Sequence, residues 1–196
     1  MATRYLSAAE TAKLVRRALA QSFPGFKFSV RSKTYSGGAS IDIGWADGPR
    51  AKEVEPIAKR YEGSDFDGMI DLKYSMTHYL RPDGSVMVRH DPGTLGNAGS
   101  IPGDDNRMFE ELMPDDVEAV HFGADFIFCQ REISDFDAEY FSAVQWLYSH
   151  CKMETDPTGN PNSDRFGGRW VGDIARHLVY DSIKGEDWQI AFDRLY

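Results

Sequence analysis

Residues 31–49 read RSKTYSGGASIDIGWADGP, and the alternation inside them decides the fold. Ala39, Ile41, Ile43 and Trp45 fall on one side of an extended chain, the period of a strand with one buried face. A one-residue slip would turn Ile41, Ile43 and Trp45 out to water, so the register is well fixed. A basic, hydroxyl-rich turn with the Gly37-Gly38 pair precedes the strand. Asp47-Gly48-Pro49 stops it and suits the cap and first turn of a following helix. Upstream, Phe26 to Arg31 alternates strictly, which predicts a half-buried partner strand and a hairpin whose loop runs through Gly38.

Working outward, Ser7-Ala8-Ala9-Glu10 is a capping box. It opens a helix that carries Leu14, Val15, Ala18 and Leu19 at helical spacing and stops before Pro24-Gly25. Arg16 and Arg17 sit on its basic side, as a contact patch or as a solvated face. Beyond Pro49 a helix carries Val54, Ile57, Ala58 and Tyr61 and ends at Gly63; Pro56 should bend it or delay its start. Ile70, Leu72 and Tyr74 alternate as a third strand, and Arg81-Pro82-Asp83-Gly84 turns the chain into a strand over 85–90. Residues 91–116 read as a loop with a short helix near Met108 to Leu112. Strand character resumes at 117–122, and 125–131 is apolar on both sides, as a central strand would be. Phe136, Tyr140, Val144, Leu147 and Cys151 mark another helical stripe. After a Pro/Gly/Asn linker over 154–168, helices follow at about 169–184, burying Trp170, Ile174 and Leu178, and from Trp188 to Leu195. The expected class is α+β: a mostly antiparallel sheet packed by helices, with a C-terminal helical extension.

The chain has 196 residues and a net charge of −9, unevenly spread. Residues 1–61 hold 11 Lys+Arg against 5 Asp+Glu, giving +6, and residues 62–196 hold 11 against 26, giving −15. Such bipolarity steers toward charged partners or simply solvates a surface. There is no run of 18 apolar residues and no secretory h-region, which predicts a cytoplasmic protein that does not span a membrane. Cys129 and Cys151 lie in apolar periodic segments and read as a reduced pair.

Chemistry is sparse. Lys33-Thr34 tempts toward a phosphate loop, but its glycines come after it and lead into a strand. In a looser role, Arg31, Lys33, Ser36 and the Gly37-Gly38 amides can hold a phosphate or carboxylate, and Tyr35 can stack on a base or pack an interface. The competing reading is an ordinary hairpin loop. Asp65, Asp67 and Asp71 resemble the start of a calcium loop, but Gly68 comes early and no Glu closes it. Asp173, His177 and Asp181 share a helix face without a second His or Cys, so neither a metal site nor a cofactor is expected. Neither a Gly-x-Ser-x-Gly elbow nor a His pair at ligand spacing occurs.

Four ordered blocks, YLSAAETAKLVRRAL (5–19), FPGFKFSVRSKTYSGGASIDIGWADGP (23–49), YEGSDFDGMIDLK (61–73) and HFGADFIFCQR (121–131), resemble a large polyvalent-protein-associated domain, the twenty-ninth of the numbered types. The resemblance covers 5–73 and 117–132. In that family the third strand runs more directly to the GADFIFC-type strand, which implies a domain over 1–132 with an insertion at about 75–116. Residues 133–196 would then be a helical extension on the same core. Pro56 departs from the family pattern. Such domains occur in long proteins of phages, plasmids and conjugative elements, a context of countering host defence or aiding establishment. The resemblance carries over no catalytic residue.

The resulting expectation is a non-enzymatic accessory protein that binds and inhibits a host nucleic-acid-targeting defence complex. Its acidic part, including Asp104, Asp105, Glu110, Glu111, Asp115 and Asp116, would engage a basic groove. The alternative is a direct nucleic-acid binder using Arg16, Arg17, Arg31, Lys33 and Tyr35. A third possibility is an enzyme on a nucleotide-like ligand, with a pocket beside the 32–38 loop.

Overall fold

A computed structural model of the chain describes residues 3–90, 116–151, 160–161 and 164–196. It separates into two compact units, residues 1–44 with 51–130 and residues 45–50 with 131–196. The class is α+β: five helices are described, and of the strand pairs with a described register only β1 with β8 is parallel.

In the first unit, β1 (Arg4–Tyr5) leads into α1 (Ala8–Ser22). The Ser7 hydroxyl accepts from the Glu10 amide at 3.2 Å, and the Glu10 carboxylate accepts from the Ser7 amide at 2.8 Å. That box satisfies two amides that a helix start leaves open. The buried stripe of α1 is Ala8, Thr11, Ala12, Val15 and Leu19, turned slightly from the one the spacing predicted. β2 (Ser29–Tyr35) and β3 (Gly38–Ala46) form an antiparallel hairpin. Ile41 and Ile43 are fully or almost fully buried, and Ala39 and Trp45 nearly so. α2 (Ala51–Ala58) passes into a 3-10 turn over Lys59–Tyr61. Pro56 lies inside α2 and does not delay its start.

The remaining strands are β4 (Ser64–Asp67), β5 (Leu72–Ser75), β6 (Thr77–Leu80), β7 (Val86–His90), β8 (Glu118–His121) and β9 (Phe126–Glu132). One sheet has the order β1-β8-β6-β7, another β2-β3-β9, and β4 pairs with β5 alone. Strand β6 therefore pairs with both β7 and β8.

Three local expectations are corrected. The predicted loop through Gly38 is mostly strand, because Ser32, Lys33 and Thr34 pair with Ile41, Ser40 and Ala39. The predicted third strand is the second half of a β4–β5 hairpin, with Ile70 in its turn. The segment read as a central strand, β9, stands at an edge of its sheet, and Phe128 is exposed.

In the second unit, α3 (Phe136–His150), the short pair β10 (Arg165–Phe166) and β11 (Arg169–Trp170), α4 (Val171–Asp181) and α5 (Trp188–Leu195) follow in order. Val144, Leu147, Ile174, Leu178 and Ala191 share one core. α4 is shorter than predicted at both ends. Trp170 precedes it in β11, partly exposed, with the Arg165 guanidinium 4.0 Å from its ring centre. Arg131 donates to the carbonyls of Asp47 (2.6 Å), Gly48 (3.2 Å), Tyr180 (2.9 Å) and Ser182 (2.9 Å). The last two of those bonds satisfy carbonyls at the end of α4 that the helix cannot.

Ile41→Ala should cost about 2–5 kcal/mol of stability, the range for emptying a fully buried aliphatic site. Urea unfolding followed by circular dichroism would measure it.

Candidate partner-binding hairpin

The β2–β3 hairpin gathers the basic residues singled out in the sequence. Arg31, Lys33 and Tyr35 alternate along β2 opposite Asp42, Ser40 and Gly38, so side-chain alternation puts them on one face. Val30, opposite Ile43, belongs to the other, buried face. Tyr35 and Gly38 are paired, which leaves Ser36 and Gly37 as the turn. Gly37 has φ +94°, a conformation that favours glycine. Lys33 Nζ lies 2.9 Å from Asp42 Oδ2, with the lysine side chain 71% exposed. A pair so open is worth only about 0–1 kcal/mol. Among the described residues the side chains of Arg31 and Tyr35 make no hydrogen bond or ion pair, and half of Tyr35 faces solvent.

The turn is held by Asp125, just before β9. One Asp125 oxygen accepts from the Ser64 hydroxyl at 2.8 Å; the other accepts from Lys73 Nζ at 3.0 Å and from the Ala39 amide at 3.3 Å. The Asp125 amide donates to the Ala39 carbonyl at 2.8 Å. Lys73 also donates to the Gly37 carbonyl at 3.2 Å. A Cβ at Gly38 would overlap the Asp125 carboxylate, so glycine is required there for space. Burial pushes the Asp125 carboxyl up. The Ser64 hydroxyl, the Lys73 ammonium and the Ala39 amide outweigh it and hold the group below its ordinary value.

Lys73 lies in the second hairpin, directly opposite Phe66 and hence on its face. Around this hairpin's turn Phe66, Met69, Ile70 and Leu72 are all exposed, Met69 at 95%. Of the three acids at calcium-loop-like spacing, Asp67 accepts from the Met69 amide in the turn and Asp65 from the Phe66 amide beside it in β4, each at 2.8 Å. In the second unit Asp173 pairs with Arg176 and Asp181 with Arg194. Both cysteines are free thiols, and burial pushes Cys129 up to about 11.

Arg31, Lys33, Tyr35 and Ser36 are thus brought together. Asp104, Asp105, Glu110, Glu111 and Asp115 lie outside the described residues, while Asp116 is exposed just before β8. Sequence reading missed Ser64, Lys73 and Asp125, which converge from segments distant in the chain. It also missed a cleft of about 150 Å³ lined by Arg17 and Arg60.

The model of the family described as large polyvalent protein associated domain 29 matches residues 6–134. That is well over half of the chain, and the chain belongs to the family. No curated protein and no solved structure matches it.

Asp125→Asn should cost about 1–3 kcal/mol at neutral pH, the scale of lost hydrogen bonds to a charge. The native carboxyl titrates below its unfolded value, so its stabilisation is complete above about pH 4 and fades as pH falls through the lower folded value. The stability gap between wild type and variant should therefore narrow below about pH 4 in thermal melts across a pH series.

Proposed function

We propose that this member of the large polyvalent protein associated domain 29 family is a non-enzymatic accessory protein of a phage or other mobile element. It acts in the cytoplasm of a bacterial host, where it binds and inhibits a nucleic-acid-targeting defence complex. The family match supports the mobile-element context. The observation that carries the binding reading is the β2–β3 hairpin, which is tied down through Asp125 while the side chains of Arg31 and Tyr35 make no hydrogen bond or ion pair among the described residues. A surface fixed before binding loses little conformational entropy when a partner docks. The exposed Phe66, Met69 and Leu72 add apolar area of the kind that interface centres use.

In this reading the acidic portion supplies the charge complementarity. Residues 62–196 carry −15, and Asp104, Asp105, Glu110, Glu111, Asp115 and Asp116 would meet the basic groove of a nucleic-acid-handling partner. Neutralising these six should weaken inhibition and slow association, with a loss of salt sensitivity. Unchanged inhibition would sink the charge-mimic form.

A second reading, direct binding of nucleic acid, is favoured by the register that puts Arg31, Lys33 and Tyr35 on one face. Arg16 is a poorer candidate for that role, since its guanidinium donates to the Val30 carbonyl at 2.6 Å. The two readings part in one experiment, an affinity capture from host lysate with a nuclease-treated parallel. A protein retained after nuclease supports inhibition of a complex. Capture lost with nuclease, together with affinity falling steeply with salt and on Arg31→Ala or Lys33→Ala, supports the second.

A further inference from the structure

The cleft of about 150 Å³ on the first unit is bounded by the last turns of α1, the 3-10 turn after α2 and the β6–β7 turn. Two guanidiniums line it, Arg17 and Arg60, and among the described residues neither makes a hydrogen bond or an ion pair. Among the described residues one carboxylate lines it, Asp83, which accepts from the Ser85 amide at 2.8 Å and the Ser85 hydroxyl at 2.7 Å in its own turn and feels the Arg17 charge more weakly. The lining therefore carries a formal charge of +1.

One of these cations lies beside the β6–β7 turn. Gly84 has φ +83°, and a Cβ there would overlap the Arg17 guanidinium, which lies against the turn. The turn is anchored in turn by Tyr61, nearly buried, whose hydroxyl donates to the Gly84 carbonyl at 3.0 Å. Gln21 and Ser22 add polar groups at the rim.

We propose that this cleft binds a terminal phosphate monoester, with Arg17 and Arg60 as its cationic clamp. A guanidinium offers paired donors that match the oxygens of a phosphate or a carboxylate. Two of them beside hydroxyl donors match a dianion with three free oxygens better than a carboxylate. The volume is below the roughly 300–1,000 Å³ that encloses a whole drug-sized ligand, so the cleft takes a small ester or the protruding end of a longer molecule. The phosphate can belong to a free phosphorylated metabolite or to the 5′ end of a nucleic-acid strand. The site is separate from the β2–β3 hairpin and does not depend on the reading given to it.

The full chain titrated calorimetrically with adenosine 5′-monophosphate, adenosine, acetate and a single-stranded oligonucleotide bearing a 5′-phosphate or a 5′-hydroxyl tests this. Adenosine 5′-monophosphate should bind where adenosine and acetate do not. Arg60→Gln and Arg17→Gln should each weaken it about tenfold, the scale of one charge-assisted pair, and Lys27→Gln, outside the cleft, should not. A phosphorylated oligonucleotide that binds more tightly than both its 5′-hydroxyl twin and the mononucleotide identifies a strand end as the source. A mononucleotide that binds as tightly or more tightly identifies a free ester. Absence of binding by every phosphorylated probe, indifference to both substitutions, or equal binding of acetate overturns the proposal. Should Arg17→Gln melt early because Arg17 packs on Gly84, the exposed Arg60→Gln decides alone.

Discussion

A single carboxylate sets the geometry on which the candidate surface rests. Asp125 is only 15% exposed in its side chain, yet it receives an amide from β3, a hydroxyl from β4 and an ammonium from β5. Burying a charge is costly unless its lone pairs are used, and here donors from three separate segments use them. Lys73 does double duty, since its remaining hydrogen-bonding capacity reaches the Gly37 carbonyl at the turn itself. The consequence reaches sequence level: Gly38 has to lack a side chain because the carboxylate occupies the space. The hairpin turn is fastened through its backbone at Gly37 and at Ala39, on the side where β3 begins.

That arrangement explains why the hairpin was only half legible. The buried face of β3 was written in Ala39, Ile41, Ile43 and Trp45, and the capping box at Ser7 and Glu10 was local enough to read directly. Both depend on neighbours within a few residues. The extent of β2 was not legible, because Ser32, Lys33 and Thr34 carry no apolar signal of a strand; they are extended only because β3 offers ladder partners. The same limit hid the β4–β5 hairpin, whose side chains around the turn are apolar but exposed. An alternation of apolar residues implies a buried face only when something covers it. Asp125 itself stood in a segment read as a strand start, and nothing near it in sequence announced Ser64 or Lys73.

The charges behave differently according to what the backbone asks of them. Arg131 looks like a candidate for recognition by residue type alone, but four carbonyls of its own unit accept from it. Arg16 is drawn to the Val30 carbonyl. Arg176 and Arg194 are matched by acids. A count of basic residues therefore overstates the number able to meet a partner, and the bipolar net charge read from the sequence is a weaker guide than the bonding of each guanidinium.

Among the arginines whose donors the described residues do not consume are Arg31 on the hairpin and Arg17 with Arg60 in the cleft, all in the first unit. Their placements differ in kind. Arg31 stands on an open strand, where a contact is screened by solvent and adds mainly to the rate of encounter. Arg17 and Arg60 both line a concave cleft, where an anion reaching the two would interact with both cations at once and shed part of its water. Asp83 offsets one of the two positive charges in the lining, and an anion would neutralise the one that remains. The cleft thereby has an electrostatic reason to prefer an occupied state, whereas the hairpin gains from a partner only what the partner's own surface brings.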